Sequence, residues 1–181
     1  KKVSVQIPVS LRKAFNIETL RNFSLYYIID IDPLMGEYTF EEVLKHVVLY
    51  LRDINNEKTL RAMTTANLKL AYSPLMRAMP LFVKDFAIGL AFVLTGEQET
   101  SVLFSNLGKI NLPPEMMDHV KLVEVMAGPG RLNAVRCAGC GIGDKFIIDF
   151  ANIYAESDIE RRFFTSLVKM GVHVKIESNR R

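Results

Sequence analysis

Tryptophan is absent from this chain, and cysteine and histidine are scarce: 181 residues hold two cysteines and three histidines. Two cysteines with no secretory pattern at Lys1 exclude a disulfide framework. They read as free thiols, and the expected setting is cytoplasmic. With three scattered histidines they also fall short of a four-ligand structural metal site, so no metal and no tightly bound cofactor is expected. Long apolar runs are missing too. The longest, near Leu90–Leu94, is far too short to span a bilayer. Charge of one sign is not in excess: the formal net charge is +3, which draws no basic stripe, and no nucleic-acid partner is expected. The bases in Lys175–Arg181 read as a solvated tail.

Repeats, low-complexity segments and linkers are not seen, so residues 1–181 read as a single domain. The chain is 49% hydrophobic and 24% charged, the balance of a globular protein with a sizeable core. No methionine precedes Lys1, and Lys1-Lys2 runs straight into an alternating strand. That pattern suggests a domain cut from a longer polypeptide.

Apolar residues alternate over Val3–Val9, which predicts a strand with one buried face, and Asn22–Ile31 predicts a second, stopped by Asp32-Pro33. Thr39 with Glu42 forms a capping-box pattern, and Phe40, Val43, Leu44, Val47, Val48, Leu51 and Ile54 then recur at helical spacing. Helix continues from Glu57 to Tyr72 after a break at Asn55-Asn56. Phe82–Leu94 is apolar nearly all round and predicts a buried helix closed by Thr95-Gly96. Ser101–Ser105, Lys121–Met126, Leu132–Cys137 and Phe146–Phe150 read as strands, with Gly139–Asp144 as the hairpin turn between the last two. Ser157 with Glu160 makes a second capping-box pattern, Gly171 ends that helix, and Val172–Ile176 alternates as a closing strand. The sum favours an α+β two-layer sandwich: a mixed, mostly antiparallel sheet with helices packed on one face.

Few residues point to chemistry. Arg12 follows the first strand, where a guanidinium can grip a carboxylate through two parallel hydrogen bonds or simply lie on the surface. Ser105 and Asn106 can present donors to a developing oxyanion, and Gly108 lets the backbone turn or approach a ligand; the plain alternative is an Asx turn. Arg21 and Asn22 read as loop bracing. Cys137-Ala-Gly-Cys140 lacks a second pair for zinc and the strand-to-helix context of a redox motif. Gly139-Cys-Gly-Ile-Gly143 lacks the strand–loop–helix setting of a phosphate loop. His46, His119 and His173 are isolated, and none is assigned catalysis.

Pro8-Val9-Ser10-Leu11-Arg12, then Thr19-Leu20-Arg21-Asn22-Phe23, then Phe104-Ser105-Asn106-Leu107-Gly108 together resemble the C-terminal lobe of the CoA-dependent acyltransferase superfamily. The nearest likeness is to bacterial alcohol acetyltransferases; chloramphenicol acetyltransferase and the condensation domains of peptide synthetases are relatives. The resemblance covers nearly the whole chain. It implies a chloramphenicol acetyltransferase-like lobe, the C-terminal half of a two-lobe O- or N-acyltransferase that moves an acetyl or acyl group from coenzyme A, or another thioester, to an alcohol or amine. It implies that Arg12 is an interlobe clamp, pairing with the Asp of a His-His-x-x-x-Asp-Gly motif, and that Ser105, Asn106 and Gly108 line the cleft on the oxyanion side. No such histidine motif occurs here. The expectation is therefore that no residue of this chain is the catalytic base, that the base sits on the N-terminal lobe, and that the chain alone has no turnover. The expected partners are that lobe, acyl-CoA and an alcohol or amine acceptor, with a homodimer through the exposed interlobe face as a further expectation. The alternative from a different class is a non-catalytic binding or self-associating scaffold domain with the same fold.

Overall fold

A computed structural model of the chain describes residues 2–95, 100–128 and 134–179. β1 (Val3–Ser10) pairs antiparallel with β2 (Ser24–Ile31) over its full length, from Val3↔Ile31 to Ser10↔Ser24. β3 (Val102–Lys109) joins β1 in parallel at Val5↔Val102 and Gln6↔Leu103. That short ladder stops before Pro8, which has no N–H to donate. β4 (Val135–Ile142) and β5 (Lys145–Asn152) form an antiparallel hairpin. The strand order is β2-β1-β3-β4-β5, so the fold is α+β with a five-stranded mixed sheet. The chain divides into two compact units, Lys1–Ser105 and Asn106–Arg181.

In the first unit the helices are α1 (Arg12–Phe15), α2 (Phe40–Ile54), α3 (Glu57–Ala71), α4 (Pro74–Ala78) and α5 (Leu81–Thr95). The capping box that opens α2 is complete: Thr39 Oγ1 accepts from the Glu42 N–H, and Glu42 Oε2 accepts from the Thr39 N–H at 2.8 Å. That contact holds the Glu42 carboxyl below its ordinary pKa. Leu51 and Ile54 from the apolar stripe of α2, with Tyr50 beside them, pack on a buried nucleus of Leu11, Tyr27 and Leu60. Asn56 caps α3 at the expected break, its side-chain oxygen accepting from the Thr59 N–H at 2.8 Å. Ser4 and Ser101 tie β1 to the entry of β3 by reciprocal backbone-to-hydroxyl bonds of 3.1 and 3.3 Å.

α5 departs from expectation. Its apolar composition predicts burial, yet Leu81, Phe82 and Phe86 are 71%, 75% and 72% exposed, and among the described side chains of residues 81–90 only Val83, Lys84 and Ala87 are half-buried. A helix that is apolar on every side asks for cover on every side, and this unit covers one. Gly96, expected to close it, lies outside the described residues. No described helix is long and apolar enough to cross a membrane.

In the second unit the β4–β5 hairpin is the scaffold. The expected long turn is wrong: Gly139–Ile142 is strand, and the turn is Gly143-Asp144 alone, with Ile142 opposite Lys145. Gly143 has φ +59°, the left-handed geometry that such tight hairpins need. Gly139 lies beneath the Phe146 ring, where an added Cβ would come within 2.9 Å of it. α6 (Pro114–Met117) is short, and α7 (Asp158–Lys169) packs Phe163 and Phe164 edge-on against Phe150, with centroids 5.2 and 5.7 Å away. The Ser157–Glu160 capping box does not form: Ser157, at φ −115° and ψ 32°, lies outside the extended geometry of an N-cap and makes no side-chain cap bond, while Glu160 Oε1 accepts from Asn152 at 3.0 Å. Lys121–Met126 is not a strand either; it crosses one face of the hairpin and is held there by side chains, not a ladder. Of the expected strand Leu132–Cys137, β4 keeps the part from Val135, and Leu132 lies outside the described residues. Val172–Ile176 forms no ladder among the described residues.

Two substitutions check this placement of apolar residues by chemical denaturation. Leu60→Ala, in the nucleus, should cost about 2–5 kcal/mol, whereas Phe86→Ser, on the open side of α5, should stay within about 0.5 kcal/mol. Removing the α2 cap with Thr39→Ala should cost about 1 kcal/mol, and the cap contribution present at neutral pH should fade as acid protonates Glu42.

Candidate functional site

Arg12 opens α1, directly after buried Leu11 at the end of β1. Leu11 anchors the loop by donating its N–H to the Phe23 carbonyl at 3.0 Å. Asn16 ends the short helix in the left-handed region, φ 51°, and the chain then returns over Ile17–Arg21. The guanidinium spans that return: Nε donates to the Thr19 carbonyl and Nη2 to the Arg21 carbonyl, each at 2.9 Å. Arg21 N–H in turn donates to Thr19 Oγ1 at 3.1 Å, and the Ser24 hydroxyl to Asn22 Oδ1 at 2.7 Å. Asn22 thus braces its own loop.

A guanidinium has five N–H donors in a fixed fork. Arg12 commits the side edge, Nε and Nη2, to its own loop, which leaves the end edge formed by Nη1 and Nη2 for a carboxylate approaching head-on. An open pocket of about 620 Å³ lies beside it, lined by Arg12, Lys13, Asn16, Ile17, Glu18, Thr19 and Leu20. Two cations against one anion in that lining favour a negatively charged visitor.

Ser105, Asn106 and Gly108 stand together on β3, but the strand does not end where the sequence suggests. It runs on through Asn106-Leu-Gly to Lys109. Asn106 Oδ1 accepts from the Gly108 N–H at 2.8 Å, and Gly108 has φ +71°, so an Asx turn is embedded within the strand. With Oδ1 occupied, Asn106 presents its Nδ2 amide hydrogens outward, and Ser105 is half-buried one residue before it. As neighbours on a strand, the two side chains turn to opposite faces of the sheet, so they do not converge on one site.

Cys137 and Cys140 are both buried and reduced. Three residues apart on one strand, they face opposite sides of the hairpin. Cys137 lies opposite Phe150, on the α7 side, whereas Cys140 Sγ donates to the Val123 carbonyl at 3.2 Å on the other. They cannot close a disulfide across the sheet. Burial, reinforced by nearby Asp149, pushes the Cys137 thiol up to about 12 and raises Cys140 as well. Both are inert packing groups by this geometry. His46, His119 and His173 are exposed, and the His46 ring lies 6.4 Å from that of Tyr50. No group of three or more metal-ligating side chains is gathered among the described residues.

Gly108→Ala isolates the backbone demand, since a Cβ there meets nothing within 4 Å. It should still destabilise by about 1–2 kcal/mol, because positive φ is strained for any residue bearing a Cβ. Alkaline titration tests Cys137. Its folded pKa lies above its unfolded value, so its contribution is full below the unfolded pKa near 9 and is lost as pH rises towards 12. Through that window stability should fall by up to about 1.4 kcal/mol per pH unit, and Cys137→Val should flatten the fall. No family model, curated protein or solved structure matches this chain.

Proposed function

We propose that this chain is the C-terminal lobe of an acyltransferase that moves an acetyl or acyl group from coenzyme A, or another thioester, to an alcohol or amine. In this reading the lobe is a two-layer sandwich with helices on one face of the sheet, and the protein works in the cytoplasm. The observation that carries it is Arg12: a strand-end guanidinium, locked by two loop carbonyls through Nε and Nη2, that lines an open pocket together with Lys13 and Glu18. A fork held rigidly in this way suits one task, gripping a carboxylate presented by another body at fixed orientation. The second lobe supplies that carboxylate and, on the same loop, the imidazole.

The imidazole then removes the proton from the acceptor hydroxyl or amine as its oxygen or nitrogen attacks the thioester carbonyl. A tetrahedral oxyanion forms, and a donor, either the Ser105 hydroxyl or the Asn106 amide, stabilises it. The carbon–sulfur bond breaks, the sulfur leaves as thiolate and takes the proton from the imidazolium, and the acyl ester or amide remains. Coenzyme A is a co-substrate here, not a resident cofactor.

A second reading, a self-associating scaffold domain, is favoured by one observation: the uncovered apolar side of α5, from Leu81 and Phe82 to Phe86. Large exposed apolar patches mark association sites. Sedimentation over a wide concentration range separates the two, since a strict monomer throughout removes the support for self-association.

The acyltransferase reading is tested by kinetics on the two-lobe protein. Arg12→Ala should lower kcat about 100-fold, the scale of a misplaced catalytic group, with little change in the KM for acyl-CoA. Arg12→Lys should recover only part of the loss, because an ammonium cannot reproduce the fork. Unchanged kcat in Arg12→Ala, with only thermal stability affected, would reduce Arg12 to a loop brace.

A further inference from the structure

β5, α7 and the residues after it have the layout of a strand–helix–strand crossover whose last pairing has not been made. Asn152, at the end of β5, bonds Glu160 in the first turn of α7, and Phe150, two residues back, meets Phe163 and Phe164 further along the helix. α7 therefore runs back along β5. Its length, about 18 Å at 1.5 Å per residue, returns the chain most of the way along a strand of about 27 Å. The helix ends in a Schellman motif: Gly171 at φ +84° donates to the Val168 carbonyl at 2.9 Å, and Val172 donates to the Leu167 carbonyl at 3.1 Å. That stop ends the helix and turns the chain out of it.

Beyond this stop the chain is a strand in all but partner. Lys175 Nζ and Glu177 Oε1 are 2.6 Å apart, a contact between residues two apart that fits the same-face placement of an extended backbone. Val172, Val174 and Ile176 consequently share the opposite side, with Val172 and Ile176 48% and 61% exposed. Among the described residues, no backbone hydrogen bond joins residues 173–177 to any other. β5, for its part, is the last strand of the sheet. The bond from the Ile153 N–H to the Ala134 carbonyl fixes the phase of the hairpin. Residues 145, 147, 149 and 151 turn their amides to β4, and Phe146, Ile148 and Phe150 turn N–H and C=O to the open edge.

We propose that Val172–Glu177 docks on this edge as a sixth, parallel strand. Connectivity selects the occupant: a parallel neighbour of β5 needs a helical crossover, and α7, packed on β5 through Phe150, Phe163 and Phe164, supplies a helix directly after that strand. The side-chain pattern agrees. With Val172, Val174 and Ile176 turned to the α7 side, they extend the apolar row of Phe146, Ile148 and Phe150, and Lys175 falls on the face that carries Asp149. Docking also removes an unpaired edge, the feature by which sheets aggregate.

Amide hydrogen exchange on the whole chain tests this. Alternate amides within residues 173–177, together with those of Phe146, Ile148 and Phe150, should exchange at least about tenfold more slowly than an unstructured peptide. Of Val174→Pro and Lys175→Pro, one must delete an amide that faces β5, since neighbouring residues in a strand point to opposite edges. That variant should erase protection at Phe146, Ile148 and Phe150 and spare Ile147 and Asp149, which bond β4 and report that the hairpin is intact. Unstructured-peptide exchange over 173–177 in the unsubstituted chain would overturn the proposal. So would two proline variants that both leave the β5 edge unchanged. Protection that disappears on dilution would assign the strand to a second copy, and would overturn docking within the chain.

Discussion

Burial of Tyr27 is the constraint on which the first unit depends. Its ring, 2% exposed, fills the space between the strand pair and the helices, beside Leu11 and Leu60. The hydroxyl reaches the Ile54 carbonyl at 3.4 Å, where α2 gives way to α3. Burial, with Tyr50 nearby, raises the phenol pKa, so the group stays neutral through the physiological range. One side chain thereby fixes β2 against the helix junction. Leu11, in the same nucleus, fixes the point at which the chain leaves β1 for the Arg12 loop. The orientation of the guanidinium is thus inherited from apolar packing one residue away, and then locked by the Thr19 and Arg21 carbonyls.

The second unit rests on a different device. Its hairpin carries Gly139 and Gly141 in mid-strand, which offer nothing to pack, and Phe146 lays its ring over both from the neighbouring strand. One face is covered by α7 through the Phe150, Phe163 and Phe164 cluster. The other is crossed by the segment around Val123 and Val125, pinned by Cys140 and by Asp149 Oδ2, which accepts from the Val125 N–H at 3.2 Å. The cysteines serve this arrangement as small apolar residues, one on each face.

Local signals in the sequence were the ones that could be read. The Thr39–Glu42 box, the Asn55-Asn56 break and the Gly171 stop each depend on a few neighbouring residues, and each is where the pattern places it. The same motif fails at Ser157 because its backbone, φ −115° and ψ 32°, leaves the extended geometry that an N-cap needs, and a pattern of residue types does not record that conformation. Alternation in Lys121–Met126 and Val172–Ile176 reveals extended backbone but not whether an edge is available to pair it. The glycine-rich run at 139–143 suggests a loop, and becomes a strand because Phe146 compensates from across the ladder. At the candidate site, Arg12 and the Asn106–Gly108 turn were legible as residue types in context. That Arg12 spends one edge of its fork on its own loop was not, since those contacts go to carbonyls that every residue has.

On the proposed reading, a lobe that clamps and lines but carries no base is silent by itself. The most direct measurement is acyl transfer from acetyl-CoA to a panel of short alcohols and amines by these 181 residues, alone and then mixed with a separately expressed lobe bearing a His-His-x-x-x-Asp-Gly loop. The account predicts no product from the chain alone and turnover on recombination. Sustained turnover by the chain alone would contradict it.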